Sequence, residues 1–442
     1  MADKKFKILT ISDHPLIPSG VGLQTRYLIE GLLKTGKYKF VSWGAAIKHQ
    51  DYRPVKIEGY GDDWVIWPID GYGDRDRMRM TLLNEKPDAV LIHTDPRFFQ
   101  WLFEMGDEIN KNLPLFYWHI WDNDPTPVFN APFYDTTDYI VTPSLKTHGL
   151  IQDMRKRNLY AGPEKYIPYA EPTDLFFPMD ETEVMKFRRE KLGPHWDKKF
   201  IVFWNNRNAR RKMSGDVVVT FAKFAEKVGK QNVALFLQTQ VHDPEGQDLL
   251  AVAKMHNIDS NLIISEQRVP TEEINRFYNA ADVTINISNN EGFGLGTMES
   301  MLAGTPIIVH MTGGLQFQTG DWWEEITDFS DQEYVESIAK SKWKKKIGLW
   351  TGVPVFPASR SCTGGQPIPF IYDDRVAHAD VVDALVKMYN MTRQERKQQG
   401  LAAREWVKKA FPFDKMISNW DEVLSGTIPT WKRHGGPRIV TL

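Results

Sequence analysis

The chain has 442 residues, of which 55 are Lys or Arg and 57 are Asp or Glu, for a formal charge of −2. That length suggests two or three domains, a 42% hydrophobic content gives them cores, and the charge balance supplies no global field toward nucleic acid or anionic membrane. One cysteine, Cys362, permits no intrachain disulfide and no cysteine-rich zinc site; with no signal-peptide-like N-terminus and no apolar run of about 18 residues, a soluble cytoplasmic protein is expected.

The chain opens with "KFKILTIS" (5–12), a β-branched apolar run that ends in the Pro- and Gly-rich "DHPLIPSGVG". Helical spacing of Leu23, Tyr27, Leu28 and Leu32 follows and stops at Gly36. Strand, glycine loop and helix in that order predict the start of a Rossmann-like unit. Further strands are expected at 39–44, 88–94, 113–121 and 138–144, with helices between most of them. The segment "YIPYAEPTDLFFPMD" (166–180) is Pro-rich and aperiodic, as an interdomain linker would be. The alternation then restarts, with strands expected at 198–206, 233–239, 262–267, 283–288 and 305–310. Two successive α/β domains place a cleft between the carboxyl ends of their sheets.

The most informative stretch is "SNNEGFGLGTMESMLAGTPIIVHMTGG", residues 288–314. Its glutamates, Glu291 and Glu299, stand eight positions apart with three glycines between them. On one continuous helix they would be rotated by about 80° and separated by about 12 Å. The glycines argue for a loop instead, with Glu291 in it and Glu299 early in the following helix. Unpaired N–H groups at that helix start suit a phosphate, glycines admit close backbone approach, and carboxylates accept hydrogen bonds from sugar hydroxyls. A diphosphate between two polyols fits all three. The plainer alternative is a solvated loop whose glutamates stabilise a helix N-terminus.

This stretch resembles the pattern E-G-F-G-x-x-x-x-E, A-x-G-x-P and a glycine pair of retaining GT-B glycosyltransferases of family 4, relatives of glycogen synthase and sucrose synthase. "VPTEEINRFYNAADVTINIS" resembles the helix and strand before that pattern, and "YIPYAEPTDLFFP" the linker IPNGVDxxxFxP. The resemblance implies an α/β GT-B architecture, with two Rossmann-like domains facing each other across a deep cleft. Its domains would be 1–172, joined by a returning C-terminal helix at about 412–442, and 178–411, with an insertion at about 318–366.

By the same resemblance Glu299 would hold the ribose of a nucleotide sugar and Glu291 the transferred sugar. Gly292, Phe293, Gly294 and Leu295 would line the donor, and Val269 would meet the base. Arg207 and Lys212, five positions apart in "NNRNARRKMSG", would hold the diphosphate, with Asn206 where the family has glycine. Arg210 and Arg211 leave open a solvated basic loop or a nucleic-acid patch. Gly20 and Gly22 would flank the diphosphate, although a tight turn explains them equally. His119 would meet the donor sugar; His93, Asp95, Asp122 and Asp124 are acceptor-side candidates. Phe317 stands at or beside the place of an acidic residue in the family.

The expected activity is transfer of a sugar from a nucleotide diphosphate donor, a UDP- or GDP-sugar, to an acceptor hydroxyl with retention of configuration. No cofactor and no metal is expected. An epimerase of the same fold, and a nucleic-acid-binding or DNA-modifying relative, remain alternatives. The 318–366 segment contains Trp322, Trp323, Trp343 and Trp350 and Lys344 to Lys346. It is expected either to extend the acceptor side, leaving the donor site wholly outside it, or to bury its tryptophans against the second domain.

Overall fold

The computed structural model describes residues 4–193, 195–366 and 368–432. In β1 (Phe6–Asp13), Ile8 to Ser12 are buried without a break, as expected for a parallel strand covered on both faces. The helix Gly20–Leu33 follows directly, and its N-terminus is fixed by Ser19, whose Oγ accepts from the Gly22 N–H at 2.9 Å. Around β1 assemble β2 (Tyr38–Ala45), β3 (Val55–Lys56), β4 (Trp64–Pro68), β5 (Ala89–His93), β6 (Leu115–Trp118), β7 (Tyr139–Thr142) and β8 (Glu164–Tyr166). Their order is β3-β4-β2-β1-β5-β6-β7-β8, parallel except where β3 meets β4.

The second sheet contains β9 (Phe200–Asn205), β10 (Val233–Gln238), β11 (Leu262–Ser265), β12 (Val283–Asn286), β13 (Ile307–His310) and β14 (Gly352–Val355). All are parallel, in the order β11-β10-β9-β12-β13-β14. This is the Rossmann order, reversing direction between β9 and β12. The molecule is thus α/β with two Rossmann-like sheets.

Several contacts join the halves besides the linker. The helix Leu145–Lys156 of the first domain meets residues 327–332 of the second, where the Phe329 N–H donates to Gln152 Oε1 at 2.9 Å. The helix Phe413–Thr427 returns to the first domain, where Trp420 packs edge-on against Trp118 at 5.1 Å and Asp421 accepts from the Tyr38 hydroxyl at 2.6 Å. Residues 433–442 of the expected returning element lie outside the described residues. The antiparallel hairpin of β15 (Ser359–Gly365) and β16 (Ile368–Arg375) reaches across from the second domain: the Tyr372 N–H donates to the Asp124 carbonyl at 2.6 Å, and Phe370 meets Phe129 edge-on at 5.3 Å.

The 318–366 segment differs from the expected insertion. It supplies β14, which pairs with β13 and completes the sheet. Trp322 is fully buried and donates to Thr319 Oγ1 at 2.9 Å; Trp343 and Trp350 pack edge to face at 4.9 Å, with the Lys387 ammonium 4.5 Å from the Trp343 ring. These rings pack the segment on its own domain, while Ser330 Oγ accepts from the Lys156 ammonium of the first domain at 2.6 Å. Among the described residues, no helix is long and apolar enough to cross a membrane.

Candidate active site

Adjacent strands β9 and β12, which pair Val202 with Val283 and Phe203 with Thr284, send out the two loops that build the site. A backbone bond from the Asn289 N–H to the Arg211 carbonyl, 2.9 Å, ties those loops together. Lys212 then reaches Glu291 in a short ion pair. Glu291, 6% exposed, also accepts from Ser288 Oγ at 3.1 Å and lies 3.4 Å from the Arg211 guanidinium, which donates to the Asn290 carbonyl at 3.0 Å.

Burial alone would push the Glu291 carboxyl up, but the Lys212 ammonium and Arg211 guanidinium outweigh it and hold it at about 2. Burial, then Arg211, bring the Lys212 ammonium down to about 8 against the pull of Glu291. At neutral pH the loop therefore presents an ionised pair, with a lysine near the point of losing its charge.

After Glu291 the backbone turns through Gly294 at φ +97°, a left-handed conformation that favours glycine, and enters the helix Leu295–Leu302. Gln318 clamps this turn, donating from Nε2 to the carbonyls of Phe293 at 2.7 Å and Gly294 at 3.0 Å, while Thr297 Oγ1 donates to its Oε1 at 2.7 Å. The Gly314 N–H bonds to the Glu291 carbonyl at 2.6 Å, so close that a Cβ at Gly314 would lie 2.4 Å from the Gly292 carbonyl oxygen. One turn into the helix, Glu299 accepts from the Tyr278 hydroxyl at 2.6 Å, and burial pushes its carboxyl up to about 7.

The first domain closes over this turn. A Cβ on Gly292 would stand 3.3 Å from the Ile120 carbonyl oxygen and 3.9 Å from Asp122 Oδ2, and one on Gly20 would stand 3.1 Å from Leu295 Cδ1. The starts of the helices Gly20–Leu33 and Leu295–Leu302 thus meet across the cleft. Burial pushes Asp122 up to about 6, with Arg211 opposing and Glu291 adding to the rise.

Residues 188–340 match the family Glycosyl transferases group 1. The trehalose synthase of Pyrococcus horikoshii is 33% identical over 113 residues, 24% of this chain and 26% of that protein. The D-inositol 3-phosphate glycosyltransferase of Streptosporangium roseum is 35% identical over 86 residues, 18% of this chain and 20% of that one. The chain thus spans about a quarter or less of the length of these curated relatives. Likeness in fold extends much further. The sucrose-phosphate synthase of Thermosynechococcus elongatus superposes with a TM-score of 0.70 at 16% identity, covering 96% of this chain and 99% of that one. Anabaena HepE in complex with UDP and glucose gives 0.67 at 13% identity, covering 96% and 100%. The architecture is GT-B, with a group 1 glycosyl transferase match in its second domain.

Within the GT-B frame the expected residues divide. Lys212, Glu291, Gly292, Phe293, Gly294, Leu295, Glu299, Gly20 and Asp122 converge on the cleft. Val269 is half-buried, two residues before the helix Thr271–Ala280. Gly22 serves the turn, since a Cβ there would lie 2.7 Å from the His14 carbonyl oxygen. Arg207 differs from its expected place: its guanidinium turns to Asp243, at 2.9 and 3.1 Å, and Arg211 takes the position beside Glu291.

His119 is fully buried, with Nε2 2.8 Å from the Tyr134 hydroxyl and no partner for Nδ1 among the described residues. Burial lowers its pKa to about 3, so it is a neutral ring. His93 is a core residue rather than an acceptor contact. It lies between the Thr25 hydroxyl at 2.8 Å and the Tyr169 hydroxyl at 2.5 Å, stacked 4.2 Å from Trp118, and burial lowers it to about 3. Asp95 caps its own turn and pairs with Arg97; Asp124 pairs with the buried Lys146 at 2.5 Å.

Sequence reasoning passed over Ser288, Arg211 as a site residue, and Gln318. Adjacency of Arg211 to Lys212 was a usable signal for one; nothing local marks the other two. Among the described residues, no group of three or more His, Cys, Asp or Glu side chains could hold a metal ion.

Proposed function

We propose that the protein transfers a glycosyl unit from a nucleotide diphosphate sugar to an acceptor hydroxyl, with retention of the anomeric configuration. The observation that carries this reading is the Lys212–Arg211–Glu291 cluster at the switch point of the second sheet, in the loop that leads into the helix bearing Glu299 and against the first domain. A buried carboxylate and ammonium beside a half-exposed guanidinium suit a substrate with a diphosphate at its centre and hydroxyls at either end. Lys212, Arg211 and the N–H groups that open the helix Leu295–Leu302 would take the diphosphate, and Glu299 the ribose. Glu291, released in part from Lys212 as the phosphates arrive, would take hydroxyls of the transferred sugar. UDP with glucose in the structurally similar HepE supports a donor of this class.

On this reading the bond between the sugar and the diphosphate breaks as the acceptor oxygen approaches from the same face. The departing phosphate oxygen accepts the acceptor's proton. Charge grows on that oxygen, so catalysis is electrostatic and rests on cations already in place. The test is to incubate the full chain with UDP-, GDP- and ADP-sugars, measuring thermal protection and release of free sugar, and to read the anomer formed by NMR. Absence of binding to every donor at millimolar concentration overturns the reading; binding with an inverted product overturns its stereochemistry.

A further inference from the structure

The linker carries a carboxylate that the donor site as described does not use. Glu171 stands where the pattern IPNGVDxxxFxP has valine, and it is 2% exposed. Neither of its oxygens has a hydrogen-bond partner among the described residues. Beside it, on the helix Gly20–Leu33 of the first domain, Gln24 donates from Nε2 to the Ala170 carbonyl at 3.1 Å. The Gln24 Oε1 is likewise buried without a partner. Three acceptor oxygens are therefore gathered at the hinge with no donor supplied to them.

Among the described residues, the groups around Glu171 offer no compensating cation. Glu299 comes from the helix Leu295–Leu302 and Tyr278 from the helix Thr271–Ala280; Tyr27 comes from the helix Gly20–Leu33, with Arg26 and Glu30 acting beyond it on the Tyr27 hydroxyl. An ionised Glu171 would be a second buried anion next to Glu299, with no opposite charge to offset its loss of hydration. One proton resolves both difficulties: it removes the charge, and it is the donor that Gln24 Oε1 lacks.

We propose that Glu171 is a positioning residue of the donor site. Holding a proton, it donates to Gln24 across the hinge and stands uncharged behind Glu299, so that Glu299 alone presents charge to the ribose. Burial, then the Glu299 charge, push the Glu171 carboxyl well above the usual range, in agreement with this arrangement. The role in ribose binding rests on the glycosyltransferase reading; the proton on Glu171 does not.

The experiment uses the full chain as wild type, E171Q and E171A. Glutamine keeps the shape and supplies an N–H donor without charge, so it should recover the affinity for UDP or GDP that alanine loses, a difference of about tenfold by calorimetry. The second arm is thermal unfolding between pH 6 and 9. An acid whose folded pKa is raised holds a proton in the folded state that the unfolded state releases, so its stabilisation fades as pH rises. The wild-type melting temperature should therefore fall relative to E171Q across that range. Lys212 and Asp122 titrate in both proteins and cancel in the comparison; Glu299, at about 7, interacts with Glu171, so the same pair of profiles is taken in an E299Q background, where only residue 171 differs. Parallel melting profiles, or E171Q no better than E171A, overturn the proposal. If wild type binds none of UDP, GDP and ADP, the glycosyltransferase reading fails, and the melting profiles still decide whether Glu171 holds the proton.

Discussion

Lys212 and Glu291 are 79 positions apart in the chain and form an ion pair because they leave the carboxyl ends of adjacent strands, β9 and β12. Parallel strands on either side of a switch point diverge in their crossovers, so their end loops face one another without an intervening helix. The pair is thus a consequence of strand order, and the burial that strand order imposes sets its electrostatics.

Replacing Lys212 with alanine should lower kcat by about 100- to 1,000-fold, as for loss of one preorganised electrostatic group at a developing charge. Glu291 would be left buried with Ser288 and Arg211 as its remaining partners among the described residues, so a circular-dichroism melt must accompany the kinetics. Turnover near the wild-type value in a folded protein would remove Lys212 from the chemistry.

The lysine also sets an alkaline limit. Its ammonium lies at about 8, so kcat/KM, which reports the free enzyme, should fall as pH rises through that value. A bound diphosphate favours the charged form, so the limb in kcat should lie higher. Glu291, held at about 2, is ionised throughout and contributes no limb above pH 5. Arginine remains charged at every accessible pH, so K212R should lose the limb whatever its absolute rate. A limb retained in K212R assigns it to another group.

Arg207 and Arg211 offer a direct comparison. The two side chains are almost equally exposed, at 58% and 55%, but Arg207 turns to Asp243, whereas Arg211 contacts Glu291 and the Asn290 carbonyl. R211A should therefore reduce turnover by at least about tenfold more than R207A, a difference on the order of one charged hydrogen bond. Equal losses would mean that Arg207 swings inward when the donor binds.

The sequence shows how such an inversion arises. Spacing identifies a loop after a strand and can nominate an arginine within it, but not the side to which a side chain turns; Asp243 and Glu245, which hold Arg207, lie in a loop about forty residues away. Strands β1, β9, β10 and β12 were legible because both faces are largely buried and apolar residues dominate them. Strand β14 was not: "GVPV" contains glycine and proline, and only pairing with β13 makes it a strand. His93 ends β5 and His119 follows β6, and their sequence contexts do not show that both rings are buried. The tyrosines that meet them, Tyr169 and Tyr134, come from elsewhere in the chain.

Glu299→Ala should weaken nucleotide binding by roughly 1.5–3 kcal/mol with a smaller change in kcat, since ribose contacts persist from ground state to transition state. Its carboxyl lies at about 7, and it must be ionised to accept two hydroxyls, so nucleotide affinity in the wild type should rise as pH increases through 7. The alanine variant should lose that rise. Calorimetry at pH 6 and pH 8 separates the two proteins.

The last prediction concerns residues 318–366. A donor site lying wholly outside this segment would survive its replacement by a short flexible linker, but two contacts oppose that expectation. Gln318 holds the carbonyls of Phe293 and Gly294 in the turn between Glu291 and the helix Leu295–Leu302, and β14 forms the sheet edge beside β13. Removing the segment takes away both the clamp and an edge strand, so the shortened chain should lose its cooperative melt as well as nucleotide binding. Gln318→Ala isolates the clamp. It leaves the strand in place but deprives two buried carbonyls of a donor, at a cost of about 1–3 kcal/mol each. The folded variant should bind UDP or GDP at least about tenfold more weakly, and its loop amides should exchange faster with deuterium. A Q318A protein with wild-type affinity and unaltered exchange over residues 291–297 would show that the turn holds its shape without the clamp.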